Sequence, residues 1–115
     1  MPSERTDGVL RDILHHIVLA ARFVEGLDRH SFKSDVRAVY AVTRCLEIIS
    51  EASRRLPAEL KARHPAIPWQ QMAGAGNVYR HDYEDVASQL VWDTVHHALP
   101  SLKAVIEQEI AGRTQ

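Results

Sequence analysis

The sequence is poor in cysteine. Cys45 is the only one among 115 residues, and a single thiol excludes a disulfide within the chain. The sequence also lacks any apolar run of the roughly 18 to 20 residues that a membrane-spanning helix needs. Its first residues are polar and do not resemble the hydrophobic part of a signal peptide. We therefore expect a cytoplasmic protein without a membrane partner, in which Cys45 is a buried, unreactive thiol on a helix.

The sequence also has no large excess of charge of one sign. The chain has 14 Lys and Arg against 15 Asp and Glu, a net charge of −1 with neutral histidines, so no overall attraction draws it to nucleic acid. Any contact with a polyanion would need a local basic patch. One candidate patch comprises Arg54, Arg55, Lys61, Arg63 and His64. The same residues are equally consistent with a solvated helix end and loop.

The main pattern in the sequence is the recurrence of apolar residues every three or four positions, which indicates amphipathic helices. The length suffices for one domain with its own core. The pattern predicts helices over residues 6–27, 34–55 and 86–110, a short helical turn over 58–63, a turn over 64–68, and a helix that begins at Pro68. Thr6 or Asp7 can cap the first helix, Gly26 and the polar residues 28–31 end it, and Ser34 or Asp35 can cap the second. The expected fold class is all-α, an up-and-down bundle of four main helices plus one short helix, with residues 1–115 as a single domain.

Two of these helices carry further information. The helix over 34–55 is apolar on two sides, so it must lie centrally in the bundle or face a partner chain. Pro100 interrupts the last helix, but the apolar pattern continues in phase beyond it. That continuity predicts a kink at Pro100 rather than a helix end.

The polar groups of residues 74–83 suit phosphodiester cleavage without a metal or cofactor. Asn77 and His81 are four residues apart and share a helix face. His81 can take the proton from a ribose 2′-hydroxyl, Arg80 can bind the scissile phosphate, and Asn77 can orient either group. Metal binding is disfavoured, because the seven histidines form no His-x-x-x-His pair and there is no second cysteine. Alternatively, His81 and Tyr83 only pack and hydrogen-bond.

Two glycines open the same stretch. Gly74 and Gly76 each weaken a helix by up to about 1 kcal/mol relative to alanine. Such a cost indicates either a close packing contact, at a helix crossing or a dimer interface, or a break in the helix near residue 75.

Several segments together resemble a known family, the HepT-like branch of the HEPN families. These are small all-α proteins found beside minimal nucleotidyltransferases in bacterial and archaeal toxin–antitoxin pairs. The matching segments are Arg44-Cys-Leu-Glu-Ile-Ile-Ser-Glu-Ala52, His64-Pro-Ala-Ile-Pro-Trp69, Gly74-Ala-Gly-Asn77, His81-Asp-Tyr83, Val91-Trp-Asp93 and Leu99-Pro-Ser-Leu102.

The hallmark of that family is Arg, four to six residues, and then His-x-Tyr. His81 and Tyr83 match its end, and Asn77 matches an Asn that often follows the Arg. The Arg itself is replaced by Gly76, while Arg80 lies one helical turn further on. Helix geometry would let the Arg80 guanidinium reach part of the same volume.

The resemblance implies a homodimer whose motif helices face a shared cleft and which acts as a metal-independent endoribonuclease toxin on RNA. A cognate nucleotidyltransferase antitoxin would neutralise it by transferring AMP to Tyr83. The added phosphoryl charge would then occupy the place beside Arg80 and His81 where RNA phosphate must bind. The alternative is a non-catalytic dimeric module that binds a nucleotide or the nucleotidyltransferase, its activity lost with the Arg replaced by Gly76.

Overall fold

The computed structural model describes residues 2–74 and 84–113, and within these ranges it contains helices and turns but no strand. The all-α prediction is confirmed. In chain order the elements are α1 (Pro2–Phe23), α2 (Arg29–Ser34), α3 (Val36–Ser53), α4 (Ala58–Ala62), α5 (69–74), α6 (Glu84–Asp93), a π-helical turn (Thr94–Ala98) and α7 (Leu99–Arg113). None of the described helices is long and apolar enough to cross a membrane.

The hydrophobic core lies where α1 packs against α3 and α7. Each helix contributes apolar side chains at three- and four-residue spacing, and each side chain of this size stabilises the fold by about 1.5 to 3 kcal/mol when buried. Its large buried side chains include Leu10, Ile13 and Ile17 of α1, Val42, Leu46 and Ile49 of α3, and Leu102 and Ile106 of α7.

The first helix is displaced from its predicted bounds of 6–27. It begins at Pro2, because proline is well tolerated in a first helical turn. Thr6 is therefore buried inside the helix and does not cap it. The helix ends at Phe23, and Gly26 follows with a φ of 77°. That left-handed conformation favours glycine and ends helices, so the terminating role expected of Gly26 is confirmed.

The polar residues 28–31, which were expected to end the first helix, also begin the next one, α2. The Asp28 carboxylate accepts a hydrogen bond from the Ser31 N–H at 2.8 Å, and Ser31 Oγ accepts one from the Asp28 N–H at 2.9 Å. This reciprocal capping starts the helix, and the fully buried ring of Phe32 anchors it. Asp35 then caps α3, as predicted, by accepting from the Ala38 N–H at 3.0 Å.

The short helix and the turn after it are confirmed. Pro57 directly precedes α4, and residues 64–68 form the expected turn before α5. The indole Nε1 of Trp69 donates to the carbonyls of both Lys61 and His64, at 3.1 and 3.0 Å. These two hydrogen bonds connect the first residue of α5 to the end of α4 and to the turn between them.

Helical conformation runs from Glu84 to Arg113, through Pro100, so the prediction that proline does not end this helix is confirmed. The irregularity is a π-helical turn just before the proline. There the Leu99 N–H donates to the Thr94 carbonyl, five residues earlier. Pro100 has no N–H to donate to the carbonyl four residues earlier. The π-helical turn lies where that hydrogen bond of an α-helix is missing.

Candidate functional site

The predicted motif lies between the two described ranges. Asn77, Arg80, His81 and Tyr83 all fall outside the described residues, as does Gly76. The structure instead defines what holds the two ends of this stretch. The chain enters it from α5 and leaves it into α6.

The last described turn of α5 is held by side chains of α3. The Ala73 carbonyl accepts hydrogen bonds from Ser50 Oγ at 3.0 Å, from Arg54 Nε at 3.0 Å and from Arg54 Nη2 at 2.8 Å. Ser50 is buried, whereas half of the Arg54 side chain is exposed. Three donors from one helix therefore converge on the last carbonyl before Gly74.

Gly74 itself shows no close packing within the described chain. A Cβ added at this position would meet no described atom within 4 Å. The predicted close contact is therefore wrong for Gly74 within one protomer. Contact with a second chain and a break in the helix both remain as explanations for the glycine.

The turn before α5 is held by Glu109 of α7, which is distant in sequence. Its carboxylate accepts from Arg63 Nη2 at 2.8 Å and Nε at 3.2 Å, and its Oε2 lies 2.7 Å from His64 Nε2. The hydrogen bonds from Arg63, followed by that of His64, hold the pKa of Glu109 below its usual value, although burial opposes them. The same bonds raise the pKa of Arg63.

These contacts show that several side chains of the predicted basic patch have partners within the protein. Arg63 and His64 share the charge of Glu109, Arg54 binds a carbonyl, and Arg55 Nη2 lies 3.9 Å from Asp12. The described contacts favour the second reading of the patch, in which these side chains organise a helix end and a loop. Glu51 also lies 3.8 Å from Arg54, in an exposed ion pair.

The C-terminal end of α6 is held by α2. Arg29 Nη2 donates to Asp93 Oδ1 at 2.7 Å, and the ring of Phe32 lies 5.3 Å from that of Trp92. Trp92 in turn stacks on His96 at 4.0 Å. A cavity of about 260 Å³ opens between α2 and α6, lined by Arg29, His30, Lys33, Ser88 and Gln89. Cationic and hydrogen-bonding side chains of this kind suit an anionic group.

A larger groove of about 390 Å³ separates α3, α5 and the π-helical turn. Its walls are mainly apolar, from Leu46, Ile49 and Met72, and His97 lies at its rim. His97 directly follows His96, and adjacent side chains on a helix point in different directions, so the sequence gives no signal of a shared site here. The groove adjoins the last described turn of α5, because Ser50 both lines the groove and donates a hydrogen bond to the Ala73 carbonyl.

Cys45 is buried, and burial raises the pKa of its thiol, so the predicted buried thiol is confirmed. Among the residues that the structure describes, no three or more His, Cys, Asp or Glu side chains come close enough to hold one metal ion.

Comparison with known proteins gives the family. The model of the HepT-like family, described as ribonuclease HepT-like, matches residues 13–109. The chain belongs to this family. The match runs through residues 74–83, so it includes the predicted motif together with the helices that flank it. No solved structure matches the chain with significance.

Similar HepT-like proteins span nearly the same length. A Methanocaldococcus jannaschii protein that carries the provisional name of an RNase is 32% identical over 110 residues, covering 96% of this chain and 95% of its own. A Thermococcus cleftensis protein named, with reservation, as ribonuclease HepT is 38% identical over 99 residues, covering 86% and 90%. A second provisionally named RNase of Methanocaldococcus jannaschii is 31% identical over 110 residues, covering 96% and 91%.

Several residues of the HepT-like segments have structural roles in the described parts of the chain. His64 and Trp69 build the turn before α5, and Trp92 and Asp93 bind α6 to α2. Leu99 and Leu102 are buried in the core. Much of the resemblance therefore encodes the supports of residues 74–83, which explains why it extends far beyond the motif.

Proposed function

We propose that this HepT-like chain is a metal-independent endoribonuclease toxin, a single domain over residues 1–115 that acts in the cytoplasm. The family match over residues 13–109 carries the proposal, because it includes the motif and its supports. The relatives with RNase names add to it. The cationic cavity between α2 and α6 opens next to the segment that leaves the motif, where RNA phosphates flanking the cleaved bond would lie.

In the proposed reaction, His81 takes the proton from a ribose 2′-hydroxyl. The 2′-oxygen then forms a bond to phosphorus while the bond from phosphorus to the 5′-oxygen breaks, and the leaving oxygen gains a proton. The products are a 2′,3′-cyclic phosphate and a 5′-hydroxyl. Arg80 binds the phosphate and stabilises the charge that develops on it, and Asn77 orients the reacting groups. Arg80 thereby takes the part of the family arginine that Gly76 replaces.

Regulation by AMP transfer forms the second part of the proposal. A cognate nucleotidyltransferase antitoxin would transfer AMP from ATP to the Tyr83 hydroxyl, with pyrophosphate as the leaving group. A phosphodiester on Tyr83 would place negative charge beside His81 and Arg80 and compete with RNA phosphate for them.

A homodimer is the proposed assembly. Although apolar side chains of α3 such as Val42 and Ala52 are buried, Val36 and Tyr40 at its N-terminal end are 53% and 67% accessible. These residues are four apart and share a helix face. Exposed apolar side chains on one face support a contact with a second copy, as the two-sided helix led us to expect.

Expression in cells tests the proposed toxin. Expression of the chain alone should slow growth and degrade RNA, and His81→Ala should abolish both effects. His15→Ala is the matched control, because His15 is an exposed histidine on α1. Full toxicity of His81→Ala would contradict the role given to His81. Intact mass after co-expression with the adjacent nucleotidyltransferase should show added AMP in the wild type and none in Tyr83→Phe.

The second candidate function is a non-catalytic dimeric module that binds a nucleotide or the nucleotidyltransferase. The observation that favours it is Gly76 in the place of the family arginine. It predicts a stable complex with the nucleotidyltransferase, no added AMP, and no RNA cleavage by the purified dimer. Restoring the arginine with Gly76→Arg would then create or raise cleavage, whereas the leading proposal needs no such change.

A further inference from the structure

The Ala73 carbonyl receives more hydrogen bonds than a helix interior supplies. A carbonyl oxygen has two lone pairs, and in an uninterrupted α-helix it accepts one N–H from four residues later. Here Ser50 Oγ and both Arg54 Nε and Nη2 lie within 3.0 Å of this oxygen. Two of the three donors belong to a guanidinium, whose charge strengthens the bonds that it makes.

The two donating side chains reach Ala73 from a rigid platform. Ser50 and Arg54 are four residues apart on α3, so they project from one face. α3 forms the centre of the core through Val42, Leu46 and Ile49, which are each at most 2% exposed. Any movement of the end of α5 relative to the core would break bonds to a charged donor. The sequence places Asn77 four residues and His81 eight residues beyond this anchor.

We infer that Ser50 and Arg54 are positioning residues for the ribonuclease motif, because they fix the end of α5 from which residues 74–83 run. The inference rests on the proposed function. Catalytic groups must be held to well within an ångström of the reacting geometry, and a shift of 1 Å can cost about a hundredfold in rate. The anchor therefore acts on the catalytic step through the motif and does not itself contact RNA.

The chain offers a closely matched control for each residue. Arg55 neighbours Arg54 and is similarly exposed, 56% against 50%, but the ion pair that it makes within the described residues is with Asp12, at 3.9 Å. Ser53 is as buried as Ser50, but its Oγ donates within α3, to the Ser50 carbonyl at 2.7 Å. Arg54→Gln and Arg55→Gln thus remove the same charge, and Ser50→Ala and Ser53→Ala remove the same hydroxyl.

Steady-state cleavage of a defined RNA by the full chain tests the inference. Arg54→Gln should lower kcat by about tenfold to a hundredfold with little change in KM, whereas Arg55→Gln should keep the wild-type kcat. Arg54→Lys should recover part of the loss, because an ammonium can give one of the two bonds. Ser50→Ala should lower kcat more than Ser53→Ala. Equal kcat values for the two arginine variants, or a change in KM alone, would overturn the inference.

A second measurement separates this inference from the proposed function. Hydrogen exchange of the α5 amides should be severalfold faster in Arg54→Gln than in Arg55→Gln, with the α1 amides as the internal reference. A wild-type chain that does not cleave RNA would refute the proposed function, yet faster exchange in Arg54→Gln would still support the anchor. Equal exchange in the two variants would refute the anchor even if the wild type cleaves RNA.

Discussion

Glu109 and His64 are 45 residues apart in sequence, yet Oε2 of the first lies 2.7 Å from Nε2 of the second. Each side chain is only 11% exposed. The contact joins the last helix to the turn that starts α5, and Arg63 reinforces it from the more exposed side. The segment that enters the motif is therefore tied to both α3 and α7.

Replacement of Glu109 should destabilise the fold. Glu109→Gln keeps the shape but removes the charge that Arg63 and His64 share, so we expect a loss of about 1 to 2 kcal/mol in the free energy of unfolding. Glu107→Gln on the same helix is the control, since Glu107 is exposed, and it should change the free energy by less than about 0.5 kcal/mol. Urea denaturation would measure both, and equal effects would contradict the role given to Glu109.

The same carboxylate predicts a dependence on pH. The pKa of Glu109 is lowered in the folded state, so the folded state binds this proton less tightly than the unfolded state does. Its contribution is fully present above the unfolded pKa of about 4.5 and is lost as pH falls through the folded value. The stability difference between wild type and Glu109→Gln should therefore shrink below about pH 4.5. A difference that stays constant to lower pH would contradict this assignment.

Phe32 should be the anchor of α2. Its ring is fully buried and packs on Trp92, so Phe32→Ala should cost about 3 to 5 kcal/mol. Phe23→Ala is the matched control, because Phe23 is 41% exposed, and it should cost less than about 1 kcal/mol. Thermal unfolding of the two variants would measure both losses of stability. A small loss for Phe32→Ala would mean that α2 does not hold α6 through this contact.

Cys45 should resist thiol reagents in the folded protein. The side chain is buried on α3 and burial raises the pKa of its thiol, so little reactive thiolate is exposed. A chromogenic disulfide reagent at pH 8 should label it only at the rate of unfolding, and immediately in denaturant. Rapid labelling of the native chain would show that the site opens without global unfolding.

Local signals in the sequence predicted much of the fold. The Asp35 cap, the Gly26 terminus and the turn at 64–68 depend on neighbouring residues, and the apolar periods of α3 and α7 are regular. α2 was missed because its capping pair, Asp28 and Ser31, lacks the Glu or Gln that usually marks a capping box.

The candidate site likewise has a part that the sequence predicts and a part that it does not. Its motif is contiguous, so the sequence identified residues 74–83 directly. Its supports join distant positions, such as Arg54 with Ala73 and His64 with Glu109. No periodicity shows which carbonyl an exposed arginine will bind, and a basic cluster looks the same whether it binds RNA or a neighbouring helix. These contacts could be found only in the folded chain.

RNA cleavage by the purified chain tests the central claim most directly. A short RNA should be cut by the wild type in the presence of a chelator, to leave 2′,3′-cyclic phosphate and 5′-hydroxyl ends. His81→Ala should lower the rate by at least about a hundredfold, while His15→Ala should cleave like the wild type. Undiminished cleavage by His81→Ala, or none by the unmodified wild type, would contradict the account.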